Sequence, residues 1–180
     1  MAMSVSVPRY TVDDLERFPD DGDRYELLDG YLLVTPAPKA VHQVVANRLQ
    51  FQLSAAVVPA GLGAVVGPGA IIAPPGTQLQ PDILVYPARF GGADWQHVTE
   101  HWLAVEVLSR SSRMYDRLFK RDAYFVLGVR QVWLVDILER SIEVWRSRVE
   151  SAVVRDFVRW TVPGTELTVA IDLAEVFAGL

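Results

Sequence analysis

The sequence predicts an α/β domain in which a mixed β-sheet is flanked by helices. Three observations carry this. Short apolar runs of strand-like composition recur along most of the chain. One of them, WLAVEVL at 102–108, is almost wholly apolar, the pattern of a central strand buried on both faces. Two longer segments, 39–58 and 112–127, have helical character and can cover the sheet. The 180 residues are read as one domain, 1–180, with its core from about residue 10 to the C-terminus. No internal repeat, low-complexity tract or linker interrupts it.

The elements follow in order. Thr11 precedes VDDLERF, with Asp14 three residues on, the pattern of an N-cap and a short helix with acids at its positive end. RYELLDGYLLV contains Asp29-Gly30 between apolar runs, a hairpin signal. From Lys39 to Val58, apolar residues including Val45, Leu49, Leu53 and Val57 recur at helical spacing. Pro59 and Gly61 end that helix. Strand-like pieces follow at 64–67, 70–73 and 82–86, with a turn at Pro74-Pro75-Gly76. After WLAVEVL, Ser112 can cap a helix running to about Leu127 and ended by Gly128. QVWLVDI and SIEVWRS form a hairpin through Leu138-Glu139-Arg140. AVVRDFVRW adds one strand, and IDLAEVF reads as a terminal helix.

Composition excludes several function classes. The chain has no cysteine, so disulfide scaffolds, cysteine-ligated zinc, iron–sulfur clusters and cysteine nucleophiles fall away. Net charge is −5, which argues against coating nucleic acid by charge alone. The charge is uneven: residues 1–30 hold three basic and eight acidic side chains, residues 106–130 six basic and three acidic ones. Only Lys39 and Lys120 are lysines. MAMSVSVPRY lacks the apolar core of a signal peptide. The uncharged stretch 49–81 is broken by five prolines and five glycines, so it offers no apolar helix of about 20 residues. A soluble, cytosolic protein with no membrane partner is expected.

One constellation stands out. Asp82 follows Pro81 at a strand start, and Glu106 lies near the end of the next long strand. Antiparallel pairing would set Leu84 opposite Ala104 and Asp82 opposite Glu106, with Cβ atoms about 5 Å apart. Two like charges there repel unless a divalent cation lies between them, and Mg²⁺ is commonly held by one or two carboxylates. Alternatively Glu106 meets solvent at the strand end, or an arginine pairs it. Lys120 can orient water or stabilise phosphate charge near such a site, or form a solvent-face pair with Asp116 at i, i+4. Glu26 is a third acid aimed at the same place, or a polar-face residue of the hairpin.

Other features read as background. His97-Val98-Thr99-Glu100-His101 spells an inverted zincin motif but runs straight into an apolar strand, with no room for the helix that zinc chemistry needs. Gly61-Leu62-Gly63 with Gly67 follows a helix and leads into a strand, the wrong order for a dinucleotide loop. His42 sits one position off the apolar stripe, as a helix-surface histidine would. Trp133 and Trp145 suit a core or a dimer interface. Arg110, Arg113, Arg117 and Arg121 form a solvated helix face or a phosphate-steering patch.

The order RYELLDG, PAPKAVHQ, QPDILVY, AVEVLSRSS, KRDAYFVLGV and QVWLVDI resembles the Uma-type endonuclease family, formerly a domain of unknown function, of the PD-(D/E)XK or restriction-endonuclease-like superfamily. The resemblance runs from about Tyr10 to the C-terminus. It implies a mixed sheet flanked by helices and a Mg²⁺- or Mn²⁺-dependent DNA endonuclease. Asp82 matches the acid of the PD strand and Glu106 the acid of the next strand; with the Val107 carbonyl they would hold the ion. The usual lysine two residues after the second acid is replaced by Leu108, and Lys120 matches the family's lysine on the following helix, where it would orient water. Glu26 matches the early acid, which would hold a second ion or a bound water. Arg110 stands where the family commonly has proline. The alternative is a catalytically inactive dimeric binding or regulatory module on the same fold. A homodimer through a sheet edge or the apolar hairpin is expected in either case.

Overall fold

The computed structural model describes residues 8–109 and 116–180, the Asp116 side chain excepted. The first seven residues of MAMSVSVPRY, the Ser112 cap, Arg110, Arg113 and the Asp116 partner proposed for Lys120 therefore lie outside the described residues.

Val12–Arg17 forms a 3-10 turn. Oδ2 of Asp14 accepts from the Thr11 backbone N–H and hydroxyl, both at 2.8 Å, which holds the Asp14 carboxyl below its usual range. Strands β1 (Arg24–Leu28) and β2 (Tyr31–Thr35) pair antiparallel about Asp29-Gly30. Both turn residues have positive φ, 51° and 79°, as a two-residue hairpin of this hand requires.

Helix α1 (Ala40–Val57) follows within a residue of the expected bounds. Next come β3 (Gly63–Val66), β4 (Ile71–Ala73), β5 (Thr77–Leu79), β6 (Ile83–Pro87) and β7 (Leu103–Leu108). A π-helical turn at Asp116–Lys120 runs into α2 (Arg121–Val126). β8 (Gln131–Asp136) and β9 (Ser141–Trp145) make the expected hairpin. β10 (Ser151–Val154), β11 (Phe157–Thr161), β12 (Thr168–Asp172) and α3 (Leu173–Val176) complete the chain.

The main sheet has the order β10-β9-β8-β7-β6-β3. It is mixed: β7 and β8 are parallel and the other pairs antiparallel. A second sheet has the order β2-β1-β5-β4, and β11 pairs with β12 alone. Alternation along the central strands builds two cores. On one face Ile83, Val85, Leu103, Val105 and Trp133 meet α1 and the β11–β12 hairpin. On the other, Leu84, Ala104, Leu108 and Leu134 meet Ile71 and Leu79 of the second sheet and Tyr124 of α2. Every residue of β6 and β7 is buried, so those strands read as continuous apolar runs broken only by Glu106.

Three expectations need correction. Segment 152–160 is two strands: β10 stays in the main sheet while β11 leaves it to pair with β12, the chain bending at Arg155-Asp156 between them. The expected turn at Pro74–Gly76 is present, but Thr77–Leu79, to which the sequence pattern assigns no element, is strand β5, which that turn joins to β4 as a hairpin. The terminal segment 171–177 opens as the end of β12, leaving only a four-residue helix. Trp133 is core, packed edge-on to Trp160. Among the described residues no helix is long and apolar enough to cross a membrane.

The core on the α1 face should dominate stability. Leu49→Ala, at a position with no solvent exposure, is expected to lower unfolding free energy by about 2–5 kcal/mol in urea titration. Phe51→Ser on the opposite side of α1, 72% exposed, should stay within about 0.5 kcal/mol of wild type.

Candidate active site

The β6–β7 register sets the site. Ile83 faces Val105 and Leu84 faces Ala104. Continued by one residue, that register puts Asp82 opposite Glu106, on the same face of the sheet as Leu84 and Ala104. Both acids are buried and line one cleft of about 490 Å³, together with Arg24, His42, Lys120 and the Pro36–Lys39 segment.

Asp82 is fixed by three donors. Oδ2 accepts from the Val107 backbone N–H at 2.8 Å and lies 3.0 Å from Nε2 of His42. Oδ1 accepts from Nη1 of Arg24 at 3.0 Å. Burial alone would raise the Asp82 pKa; His42, Arg24 and the Val107 amide outweigh it and hold the carboxyl below its usual range. Arg24 answers in kind. Burial works against its charge, but Asp82, Glu106 and Glu26 more than offset that and stabilise the guanidinium.

Glu106 and Glu26 meet at Lys120. Nζ donates to Oε1 of Glu106 at 3.1 Å and lies 2.7 Å from Oε2 of Glu26, an ion pair whose angles fall outside hydrogen-bond geometry. Tyr124 donates to the same Glu106 oxygen at 2.5 Å. The Gln80 N–H donates to Oε1 of Glu26 at 2.6 Å. Glu26 has no solvent exposure and Lys120 has 3%. The hairpin acid and the helix lysine therefore point inward, and neither solvent-face reading holds. Arg24, the arginine of this cleft, donates to Asp82, and Glu106 also stabilises its charge.

His42 also departs from expectation. It is buried and turned onto Asp82, because the first turn of α1 leans over the start of β6. Arg24, Tyr124 and Lys39 were not singled out by spacing; Arg24 and Tyr124 sit beside predicted residues, in RYELLDG and KRDAYFVLGV, and Lys39 lines the cleft mouth at the N-cap of α1. That helix has no acidic residue of its own in its first turn, and its positive end lies at the cleft beside Asp82.

Of the four arginines read as a solvated or phosphate-steering helix face, Arg110 and Arg113 lie outside the described residues, and the other two are engaged. Arg117 pairs with Glu143 at 2.5 Å and Asp136 at 3.4 Å. Arg121 pairs with Asp122 and lies over the Trp145 ring. Neither is a free phosphate contact. The inverted zincin motif does not converge: His97 is exposed, Glu100 is held by Arg89, Arg130 and Trp102, and His101 is buried, which lowers its pKa. Among the described residues no three His, Asp or Glu side chains gather as a ready-made metal cage.

Against known proteins, the family model described as "Uma2: Putative restriction endonuclease" matches residues 12–174. Solved structures that match include a crystal structure described as "a putative nuclease belonging to DUF820" from Anabaena variabilis, with a TM-score of 0.74 and 18% identity over 93% of this chain and 97% of that one. At that identity the likeness concerns the fold, a mixed sheet flanked by helices. No curated protein matches the chain.

The buried ammonium is the element to test. Lys120→Met leaves Glu26 and Glu106 without their shared cation and should cost about 3–5 kcal/mol in urea titrations with EDTA present. Adding Glu26→Gln should recover part of that loss, a coupling of about 0.5–3 kcal/mol in the double-mutant cycle. A Lys120→Met protein as stable as wild type would show that the triad is not held by charge.

Proposed function

From the chain's membership of the Uma2 family, we propose that it is a metal-dependent nuclease, hydrolysing phosphodiester bonds of DNA at the Asp82–Glu106 cleft. The observation that carries this reading is the pair of buried carboxylates on adjacent strands, opening on one cleft, with Lys120 beside the second acid.

The donor set suits Mg²⁺ or Mn²⁺. Both are hard cations that take oxygen ligands, and Mg²⁺ is usually held by one or two carboxylates, the rest of its shell being water and phosphate. A full protein cage is not required. Asp82 accepts from three donors, leaving one of a carboxylate's roughly four lone-pair positions, on Oδ1. Asp82 and Glu106 would hold the ion, with the Val107 carbonyl as a further ligand. When bound, the ion supplies an activated water and neutralises charge on the scissile phosphate.

The chain's own residues do the rest. His42 and the Val107 amide lock the Asp82 rotamer. Tyr124 and Lys120 lock that of Glu106. Lys120 sets a compact positive charge beside Glu106, where it can orient the attacking water and balance charge as phosphate oxygens become more negative. Glu26 holds Lys120 in place and is itself held by the Gln80 amide.

A second reading has one observation in its favour. Arg24 and Lys120 already supply two positive charges to the three acids, which suits a binding or regulatory module that has kept the fold without the chemistry.

Cleavage of single- and double-stranded DNA separates the two. Wild type should cleave with Mn²⁺ and stop with EDTA. Asp82→Ala, Glu106→Ala and Lys120→Met should each lose at least about 100-fold. Calorimetry should show a Mn²⁺ heat that Glu106→Ala abolishes. Equal activity in all four proteins would sink the assignment; no cleavage and no heat in wild type would favour the module.

A further inference from the structure

The guanidinium of Arg24 is attached by one nitrogen. Nη1 donates to Oδ1 of Asp82 at 3.0 Å and to the Gln80 carbonyl at 3.1 Å. Those contacts use both of its protons. Nε and Nη2 carry three more N–H groups. Among the described residues they meet no acceptor, and they are not sealed from solvent. The side chain is 19% exposed and lines the cleft.

An arginine serving only to neutralise Asp82 would fork onto both carboxylate oxygens. Here Oδ2 is taken by the Val107 amide and His42, so the guanidinium meets Asp82 by one corner and keeps its Nε–Nη2 edge clear. That edge matches a pair of oxygens on one oxyanion. Its position is held from behind by the Gln80 carbonyl, and the Gln80 amide in turn holds Glu26. Pro36, which follows Thr35, the cross-strand partner of Arg24, lines the same cleft with Pro38, Val41 and Leu138 as its apolar part, and Lys39 stands beside them at the N-cap of α1.

We propose that Arg24 is a phosphate-binding residue whose Nε–Nη2 edge takes two non-bridging oxygens of one phosphodiester, beside Asp82 and Glu106. The identity of the ligand rests on the nuclease reading; the anion site itself does not. The sugar and base attached to that phosphate pack on the apolar part of the cleft.

The test uses a single-stranded phosphorothioate 12-mer in EDTA, followed by fluorescence anisotropy across a salt series. Arg24→Lys keeps a cation for Asp82 but removes the fork. It should bind about tenfold more weakly at an unchanged salt slope, with an unchanged melting temperature. Arg24→Gln should bind more weakly still, and its salt slope should fall by about 0.7, one phosphate contact on a single strand. Inorganic phosphate should compete with the 12-mer, whereas acetate at equal ionic strength should not.

Wild-type affinity and slope in both variants would overturn the proposal. So would a lower melting temperature with no change in slope, which is what a purely structural arginine gives. Equal competition by acetate would make the group a carboxylate site and overturn the phosphate assignment. Arg24-dependent binding without Mn²⁺-dependent cleavage would leave this inference standing while the nuclease reading fell.

Discussion

The ion pairs of Lys120 tie the structure together. Glu26 comes from β1 of the smaller sheet, Glu106 from the middle of the main sheet, and Lys120 from the segment between β7 and β8. Three elements distant in sequence meet at one ammonium. A charge buried here without a partner would cost several kcal/mol, so none of the three can be placed correctly unless the other two are. The triad also fixes the rotamer of the acid that faces the cleft.

The second constraint is the β6–β7 register. Side chains alternate across a strand, so a slip of one residue would turn Glu106 into the α1 core and Val105 or Val107 towards the cleft. The burial of Ile83, Leu84, Val85 and their partners on both faces excludes that slip. Packing of neutral residues thus places a charged pair, and the Val107 amide, the next one along β7, is within reach to hold Asp82. The order of cause runs from apolar pattern to register, from register to carboxylate placement, and from there to the demand for cations and hydrogen-bond donors that Arg24, Lys120 and His42 meet.

Much of this was legible in the sequence, and the missing parts have physical reasons. The opposition of Leu84 to Ala104 follows from two apolar runs and one assumption, antiparallel pairing, and it holds. The hairpin at Asp29-Gly30 and α1 follow from local signals. His42 departs from its expected place because a helical stripe describes only the face packed on the main core, whereas the first turn of α1 lies over the start of β6 and buries a second face. Glu26 was ambiguous because alternation says which residues share a face of β1, not what that face meets; only the arrival of Lys120 decides it. Arg24 and Tyr124 carried no signal of their own in spacing. The split of 152–160 turned on two polar residues, Arg155-Asp156, too short a break to register in an otherwise strand-like run. The resemblance to Uma-type proteins supplied what periodicity could not, by marking Asp82, Glu106 and Lys120 as members of one ordered set.

The charge distribution then bears on how such a site meets its substrate. A chain of net charge −5 has no general attraction for a polyanion, and the helix that promised a basic face has Arg117 and Arg121 engaged with Glu143, Asp136, Asp122 and Trp145. Other arginines, Arg140 and Arg159 among them, are exposed elsewhere on the surface, while in the cleft Arg24 and Lys120 lie beside the acids and Lys39 stands at the start of α1. Screening over about 8–10 Å at physiological salt confines such a field to ligands already at the entrance. On the nuclease reading proposed above, such a cleft would engage few phosphates at once, and binding would depend weakly on salt. The two acids that line the cleft, Asp82 and Glu106, are each paired with a cation of the fold, Arg24 and Lys120, so their negative field is reduced before any anion approaches.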